Sequence, residues 1–138
     1  MSIMGKRILF WSAFTLLLLL LPISCTKAPI NGALDGQWEV VEVSPTPTEI
    51  IIDQRLFYNF SLQVCDLTYY GSLFTQGNMV YTGETLWLEF PFVRKEKDIQ
   101  TLKQYGILTN PVTFNVEFKD KHHLILYNDD STVELVKH

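Results

Sequence analysis

Apolar and polar residues alternate in several short stretches of this chain, and this pattern constrains the fold more than any other feature of the sequence. The clearest stretch runs from Leu56 to Cys65, where an apolar or aromatic residue occupies every second position. Because successive side chains of a β-strand point to opposite faces, a period of two indicates a strand with one buried face. The face that carries Tyr58 and Phe60 is predicted to be the buried one.

Further short segments of the same kind follow one another with close turns between them. Gln76-Gly77-Asn78 and Gly83-Glu84 have the composition of hairpin turns, and Pro45 and Pro47 place a loop before the apolar residues Ile50–Ile52, which we expect to cover an end of the core. The predicted strands are Leu34–Val43, which begins in a turn, Leu56–Cys65, Leu67–Thr75, Met79–Thr82, Thr85–Phe90, Val112–Lys119, His123–Tyr127 and Thr132–Val136.

One segment has the spacing of a helix. Between Lys95 and Tyr105 the residues Ile99, Leu102 and Tyr105 recur at spacings of three, and Gly106 stands where a glycine commonly ends a helix. About eight short strands and one short helix therefore emerge. Close turns throughout favour an all-β fold, an antiparallel meander that closes into a barrel or a strongly curved sheet.

The first 24 residues have the order of a secretory signal. Lys6 and Arg7 precede an apolar run from Ile8 to Leu21, and Pro22 ends that run after roughly 14 residues, which is short of the roughly 20 that a spanning helix needs. A cleaved signal peptide is therefore favoured over a permanent transmembrane helix. Removing it takes away two basic residues and no acidic one, so the mature chain is more acidic than the net charge of −4 of the whole sequence.

The segment Leu21–Cys25 (LPISC) resembles the lipobox of bacterial lipoproteins, with the small residue Ser24 directly before the cysteine. The resemblance implies cleavage after residue 24 and a lipid on Cys25 that anchors the protein in a membrane. Residues 25–33 would then form a tether and residues 34–138 the domain. Thr26 is not the Asp that resembles an inner-membrane retention signal, and no acidic run follows it, so the expected location is the periplasmic side of the outer membrane.

The opening of the domain, Leu34–Val40 (LDGQWEV), resembles the Gly-x-Trp opening of lipocalin-like barrels, in particular those of small bacterial lipoproteins. In this chain the pair is Gly36 and Trp38. The resemblance implies a small barrel of about eight strands whose floor is closed by Trp38. It also implies the capacity of such barrels to enclose a small apolar ligand.

Charge and cysteine content exclude several classes of function. The one dense basic run, Arg94–Lys97, is interrupted by an acid, so a nucleic-acid partner is not expected for this acidic chain. If Cys25 carries lipid, Cys65 is the remaining thiol, and no cationic residue lies beside it in sequence to activate it. Cys65 is therefore predicted to be buried and inert.

No catalytic or metal-binding pattern is present in the sequence. His122 and His123 are adjacent, so in a strand their side chains would point to opposite faces, and with His138 they form no plausible zinc site. Asn128–Ser131 lacks the spacing of a calcium loop and is better read as a hairpin turn. We expect neither a cofactor nor an enzymatic activity.

The aromatic residues on the predicted inner faces leave two functions open. They would either line a cavity or fill the core, because the interior of an eight-stranded barrel is just wide enough for either. A cavity of several hundred Å³ would indicate a membrane-tethered module for a small apolar ligand, whereas a packed interior would indicate a structural or protein-interaction module of the cell envelope. The residues concerned are Trp38, Tyr58, Phe60, Phe114 and Phe118.

Overall fold

The computed structural model describes residues 30–49 and 55–138, which form eight strands and one α-helix. Buried and more exposed residues alternate along most of the strands, as the sequence pattern indicates. A 3-10 turn, Gly32–Leu34, precedes the first strand. In the described part of the chain, no helix has the length and the apolar character required to cross a membrane. The elements are β1 (Gly36–Ser44), β2 (Leu56–Ser61), β3 (Val64–Tyr69), β4 (Ser72–Tyr81), β5 (Thr85–Glu89), α1 (Glu96–Gln104), β6 (Val112–Asp120), β7 (His123–Tyr127) and β8 (Thr132–Lys137).

The strands form a closed barrel in which each pairs antiparallel with its neighbour in sequence and β8 pairs with β1. This confirms the predicted meander and barrel. The barrel has two ends. The upper end carries the loop after Ser44, the turn Tyr70–Gly71, the connection that contains α1 and the turn Asn128–Ser131. The lower end carries the 3-10 turn and the turns at Leu62–Gln63, Thr82–Glu84 and Lys121–His122.

The prediction of one continuous strand from Leu56 to Cys65 is wrong. The chain turns at Leu62–Gln63, because Ser61 pairs with Val64 across a two-residue hairpin. Leu62 has a φ of +56° and is 63% exposed, although its apolar character continued the alternation. The turn also shifts the alternation, so Cys65 instead faces the interior and is fully buried, as expected of an inert thiol.

The predicted turn at Gln76–Asn78 is also wrong, since these residues lie inside β4 and pair with β3. A glycine is required at position 77 because another side chain packs closely against it, and not because the chain reverses there. A Cβ atom at this position would come within 2.6 Å of the ring of Phe90 on the next connection. The turn itself lies earlier, at Tyr70–Gly71, where both residues have positive φ as type I′ hairpins require. The turn predicted at Gly83–Glu84 is confirmed.

Helix α1 begins and ends close to the predicted positions, and Gly106 ends it as predicted. Gly106 has a φ of +80°, its backbone N–H donates to the Lys103 carbonyl, and the Ile107 N–H donates to the Leu102 carbonyl. This pair of bonds is the Schellman arrangement, which satisfies the last carbonyls of the helix and turns the chain back toward the barrel. Ile50–Ile52, expected to cover one end of the core, lie outside the described residues.

Candidate functional site

The side chains predicted to face the interior fill it. Trp38, Tyr58, Phe60 and Phe114 are each at most 2% exposed, and the half-buried ring of Phe118 lies 6.2 Å from that of Trp38 between ring centroids. A ligand cavity would leave its lining side chains accessible to a water-sized probe. The side chains of Trp38, Tyr58, Phe60 and Phe114 have almost no accessible surface, so the described part of the barrel interior is a packed core.

Trp38 closes the lower end of the barrel. Its indole N–H donates to the carbonyl of Leu34 over 2.8 Å, which ties the strand to the 3-10 turn beneath it. The ammonium group of Lys137 lies 5.4 Å from the centre of the indole ring. Gly36 has a φ of +132°, and a Cβ atom there would come within 2.9 Å of the Lys137 side chain. The glycine of the Gly-x-Trp pair therefore gives the lysine room to cover the tryptophan.

Tyr105, the residue that follows α1, closes the upper end. It is fully buried, its backbone carbonyl accepts a hydrogen bond from the Tyr58 hydroxyl, and its own hydroxyl donates to the Thr68 carbonyl over 2.8 Å. The ring of Phe74 stacks on it at 6.1 Å between centroids. Phe74 reaches this position because a β-bulge in β4 interrupts the alternation and turns its side chain inward.

The chain directly after Tyr105 is fixed to the barrel by a hydrogen bond and by close packing. The Ser131 hydroxyl, itself 4% exposed, donates to the Gly106 carbonyl over 2.8 Å. A Cβ atom on Gly106 would come within 2.3 Å of a methyl group of Val133 in β8. The upper end of the barrel is thus occupied by the end of α1. Sequence reasoning located the helix and its final glycine, but it missed that Tyr105 enters the barrel.

The buried polar groups are not arranged for acid–base or nucleophilic chemistry. Burial raises the pKa of the Tyr58 hydroxyl and of the Cys65 thiol well above their ordinary values, so both stay protonated. Burial likewise raises the pKa of Tyr105. A reactive cysteine requires a lowered pKa, and a general base requires one near the working pH. These groups are therefore structural.

Two polar clusters lie on the outside of the barrel. Arg55 donates to both oxygens of the Glu39 carboxylate, and the Nε2 atom of His138 lies 2.9 Å from Oε1 of that carboxylate. The hydrogen bond from Arg55 lowers the pKa of Glu39 to about 2. His123 pairs with Asp120 at the lower end. Within residues 30–49 and 55–138, no group of three or more His, Cys, Asp or Glu side chains could hold a metal ion.

Two clefts lie beside α1 at the upper end. One, of about 400 Å³, separates the Pro45–Glu49 segment from Lys103 and Gln104, and it is bridged where the Gln104 side chain donates to the Glu49 carbonyl. The other, of about 420 Å³, has Arg94 at its side and Leu102 and Ile107 in its floor. Leu102 and Ile107 are each only 1% exposed, so the apolar surface that this cleft offers a ligand comes from Ile99 and Leu108, which are half-buried.

The upper end also exposes several large apolar side chains. Tyr70 is 69% exposed on the β3–β4 turn, Phe92 is 74% exposed on the connection before α1, and Tyr127 is 40% exposed at the end of β7. Leu73 at the start of β4 is 59% exposed. Aromatic side chains are enriched at protein–protein interfaces, where a large rigid ring contributes contact area at small entropic cost.

A closed barrel of eight next-neighbour antiparallel strands, opened by Gly-x-Trp and closed below by that tryptophan, defines a lipocalin-like barrel. The comparison with known families agrees. The model of the lipocalin-like domain family matches residues 17–138, and the chain belongs to this family. No curated protein sequence matches the chain.

Two solved structures are similar in fold. A lipocalin-like protein from Bacteroides uniformis superposes with a TM-score of 0.59 at 23% sequence identity, over 78% of this chain and all of that one. An uncharacterized protein from Bacteroides eggerthii superposes with a TM-score of 0.54 at 16% identity, over 75% of this chain and 98% of that one. At these identities the similarity establishes the fold.

Proposed function

We propose that the mature protein is a lipoprotein, anchored through a lipid on Cys25, whose barrel acts as an interaction module of the cell envelope. The observation that carries the second part is the packed interior. Trp38, Tyr58 and Tyr105 have no accessible surface, and Tyr105 occupies the upper entrance. A barrel that carries a ligand needs a cavity of several hundred Å³, with lining side chains that the ligand can reach.

The exposed aromatic residues at the upper end indicate where a partner protein would bind. Tyr70 and Phe92 lie on two different connections of this end and Tyr127 lies at the end of β7, so they present contact points on several sides of it. A folded partner that covered them would remove apolar surface from water without any change in the barrel. Lipocalin-like domains are in general non-enzymatic binding proteins, and this supports a binding role for the barrel.

The anchoring part of the proposal has its own test. Cys25 lies outside the described residues, and its lipidation is inferred from Ser24-Cys25 after the apolar run. Mass spectrometry of the mature N-terminus should find a lipid-modified cysteine, and Cys25→Ser should release the domain from membranes. An unmodified terminus at another residue would overturn the anchor. Resistance of the protein to protease added to intact cells would support the periplasmic side of the outer membrane.

The interaction part is tested by photo-crosslinking in intact cells. A photoreactive residue at Tyr70 and one at Phe92 should capture the same envelope protein. Val80 is a matched control, because it is apolar and 56% exposed but lies on the barrel wall. Capture of the same protein from Val80, or no capture from either upper position, would count against an interface at the upper end.

The second candidate function is the binding of a small apolar ligand in the clefts beside α1 rather than inside the barrel. The observation that favours it is their volume of about 400 Å³ each, with the cation Arg94 or Lys103 at the side. Native mass spectrometry of the purified protein decides between the two functions. One small molecule per chain, lost in Lys103→Gln or Arg94→Gln, would favour this candidate, whereas an unliganded chain would favour the interaction module.

A further inference from the structure

The lower end of the barrel exposes two aliphatic side chains close to the position of the proposed lipid anchor. Ile30, at the start of the described chain, is 65% exposed, and Leu62, in the β2–β3 turn, is 63% exposed. Water is a poor environment for such side chains, and nothing in the described residues covers them. The two positions lie near each other, because the side chain of Asn31, the residue after Ile30, donates to the Leu62 carbonyl over 2.7 Å.

The backbone conformation of Leu62 is a second indication that its exposed side chain has a contact outside the domain. Leu62 is the first residue of a two-residue hairpin turn and has a φ of +56°, a conformation that glycine and asparagine adopt far more readily than leucine. A leucine therefore costs free energy at this position, and an exposed side chain recovers none of it by packing. A residue that strains the backbone and gains nothing inside the domain points to a contact outside it.

The length of the tether determines which end of the barrel faces the membrane. Four residues, Thr26–Pro29, lie between Cys25 and Ile30. An extended chain advances at most about 3.5 Å per residue, so Ile30 stays within about 18 Å of a lipid-modified Cys25. The 3-10 turn and the start of β1 follow directly after Ile30, and both belong to the lower end. The upper end lies on the far side of β1, which has nine residues.

We propose that the lower end docks on the lipid surface, with Ile30 and Leu62 inserted into the interfacial region of the bilayer. The inference rests on the proposed anchor at Cys25, which brings these side chains to the surface. Insertion removes both of them from water, and their burial adds to the attachment that the acyl chains supply. The upper end, with its exposed aromatic residues, then points away from the membrane.

The experiment uses the lipidated full-length protein in vesicles of phosphatidylethanolamine and phosphatidylglycerol. The sequence has two cysteines, of which Cys25 would carry lipid and Cys65 is fully buried, so an introduced cysteine can be labelled selectively. An environment-sensitive fluorophore is attached to Leu62→Cys, and to Tyr70→Cys as the matched control. Tyr70 is also an exposed turn residue with positive φ, but it lies at the upper end.

Nitroxide-labelled lipids should quench the fluorophore at position 62 and shift its emission to the blue, with neither effect at position 70. If the vesicles float with the protein attached but both positions remain unquenched, the docking proposal is overturned while the anchor stands. If the protein does not float with the vesicles, the anchor fails and the docking proposal fails with it.

A second variant separates insertion from mere proximity. In Ile30→Asn/Leu62→Asn the domain should stay folded, because asparagine tolerates the backbone conformation at position 62. A fluorophore at His122→Cys, in another turn of the lower end, should be quenched in the parent protein and should lose most of that quenching in the double variant. Unchanged quenching would show that the two aliphatic side chains do not hold the domain on the surface, and Tyr70→Asn is the control that should leave it unchanged.

Discussion

Trp38 and Trp87 show how the position of a residue on a strand determines its contribution to the stability of the fold. Both lie on strands, yet Trp38 is fully buried and hydrogen-bonded at the lower end, whereas Trp87 lies on the outer face of β5 between the buried residues Leu86 and Leu88. The alternation of the sequence predicts this difference. What it does not predict is the partner of the indole N–H, the Leu34 carbonyl, because that contact depends on the 3-10 turn before the strand.

Trp38→Ala should destabilise the domain much more than Trp87→Ala. Removing a fully buried large side chain costs about 3 to 5 kcal/mol, and the exposed face of Trp87 should limit its loss to about 1 kcal/mol. Urea unfolding of each single variant, followed by circular dichroism, measures both values. Equal stability of parent and Trp38→Ala, together with a large loss for Trp87→Ala, would invalidate the assignment of the two faces.

Glu39 should contribute stability that depends on pH. Its pKa is lowered to about 2 by Arg55, from an ordinary value of 4.5, so the contribution is present above about pH 4.5 and is lost as the pH falls toward 2. The guanidinium side of the pair is 63% exposed, so the contribution should be small, about 0.5 to 1 kcal/mol. Denaturant unfolding of Glu39→Gln should show this deficit at pH 7 and not at pH 2. Glu117→Gln, at an exposed strand position, is the control and should show no deficit at pH 7.

At the scale of elements, the sequence predicts the strands and the helix well but misplaces two turns. Leu62 continued the apolar alternation and concealed a turn, whereas Gly77 had the composition of a turn inside β4. In both cases the deciding contact lies outside the local segment: it is the ring of Phe90 for Gly77 and, by our inference, the lipid surface for Leu62. Local composition carries no information about such contacts. The end of α1 was predictable because its glycine acts within a single turn.

Gly106→Ala tests the end of α1. Its φ of +80° strains any residue with a Cβ atom, and that atom would also collide with Val133 in β8. Gly83→Ala isolates the first effect, because Gly83 has a φ of +98° and open space around it. We expect a loss of about 1 to 2 kcal/mol for Gly83→Ala and about 3 kcal/mol or more for Gly106→Ala. Equal losses in thermal unfolding would show that the helix end is not packed against the barrel.

At the scale of the whole molecule, the sequence predicts a small barrel with an aromatic interior, but it leaves open whether that interior is filled. The five predicted residues alone do not decide the question. The additional volume comes from Tyr105, Phe90 and Leu34, which lie in connections rather than strands. The predicted strands Leu34–Val43 and Thr85–Phe90 included Leu34 and Phe90, but no strand alternation covers Tyr105, which follows α1. Tyr105 enters the barrel only because Gly106 and Ser131 position the chain after α1. That arrangement depends on contacts between elements and is not encoded in any single segment.

The buried phenols should make the whole barrel sensitive to alkali. Burial raises the pKa of Tyr58 and Tyr105 above the ordinary value of 10, so the folded state retains protons that the unfolded chain releases. Stability should therefore be fully present below pH 10 and should decline as the pH rises above it. Urea midpoints at pH 8 and pH 11 measure the decline. It should be smaller in Tyr58→Phe, while Tyr70→Phe, which alters an exposed phenol, should decline as the parent does.

The pairing of β1 with β8 has a consequence for the order of events when the chain is made. These strands stand at opposite ends of the domain, and Trp38 lies beside Lys137 in the ladder. Contacts between residues so distant in sequence slow folding, and barrels rich in them fold in milliseconds to seconds. If the chain is exported from its N-terminus, as the proposed signal peptide implies, its barrel cannot close until the last strand has crossed the membrane. The aromatic interior is exposed for that whole interval, so secretion of this domain should depend on chaperones that protect it from aggregation before it folds.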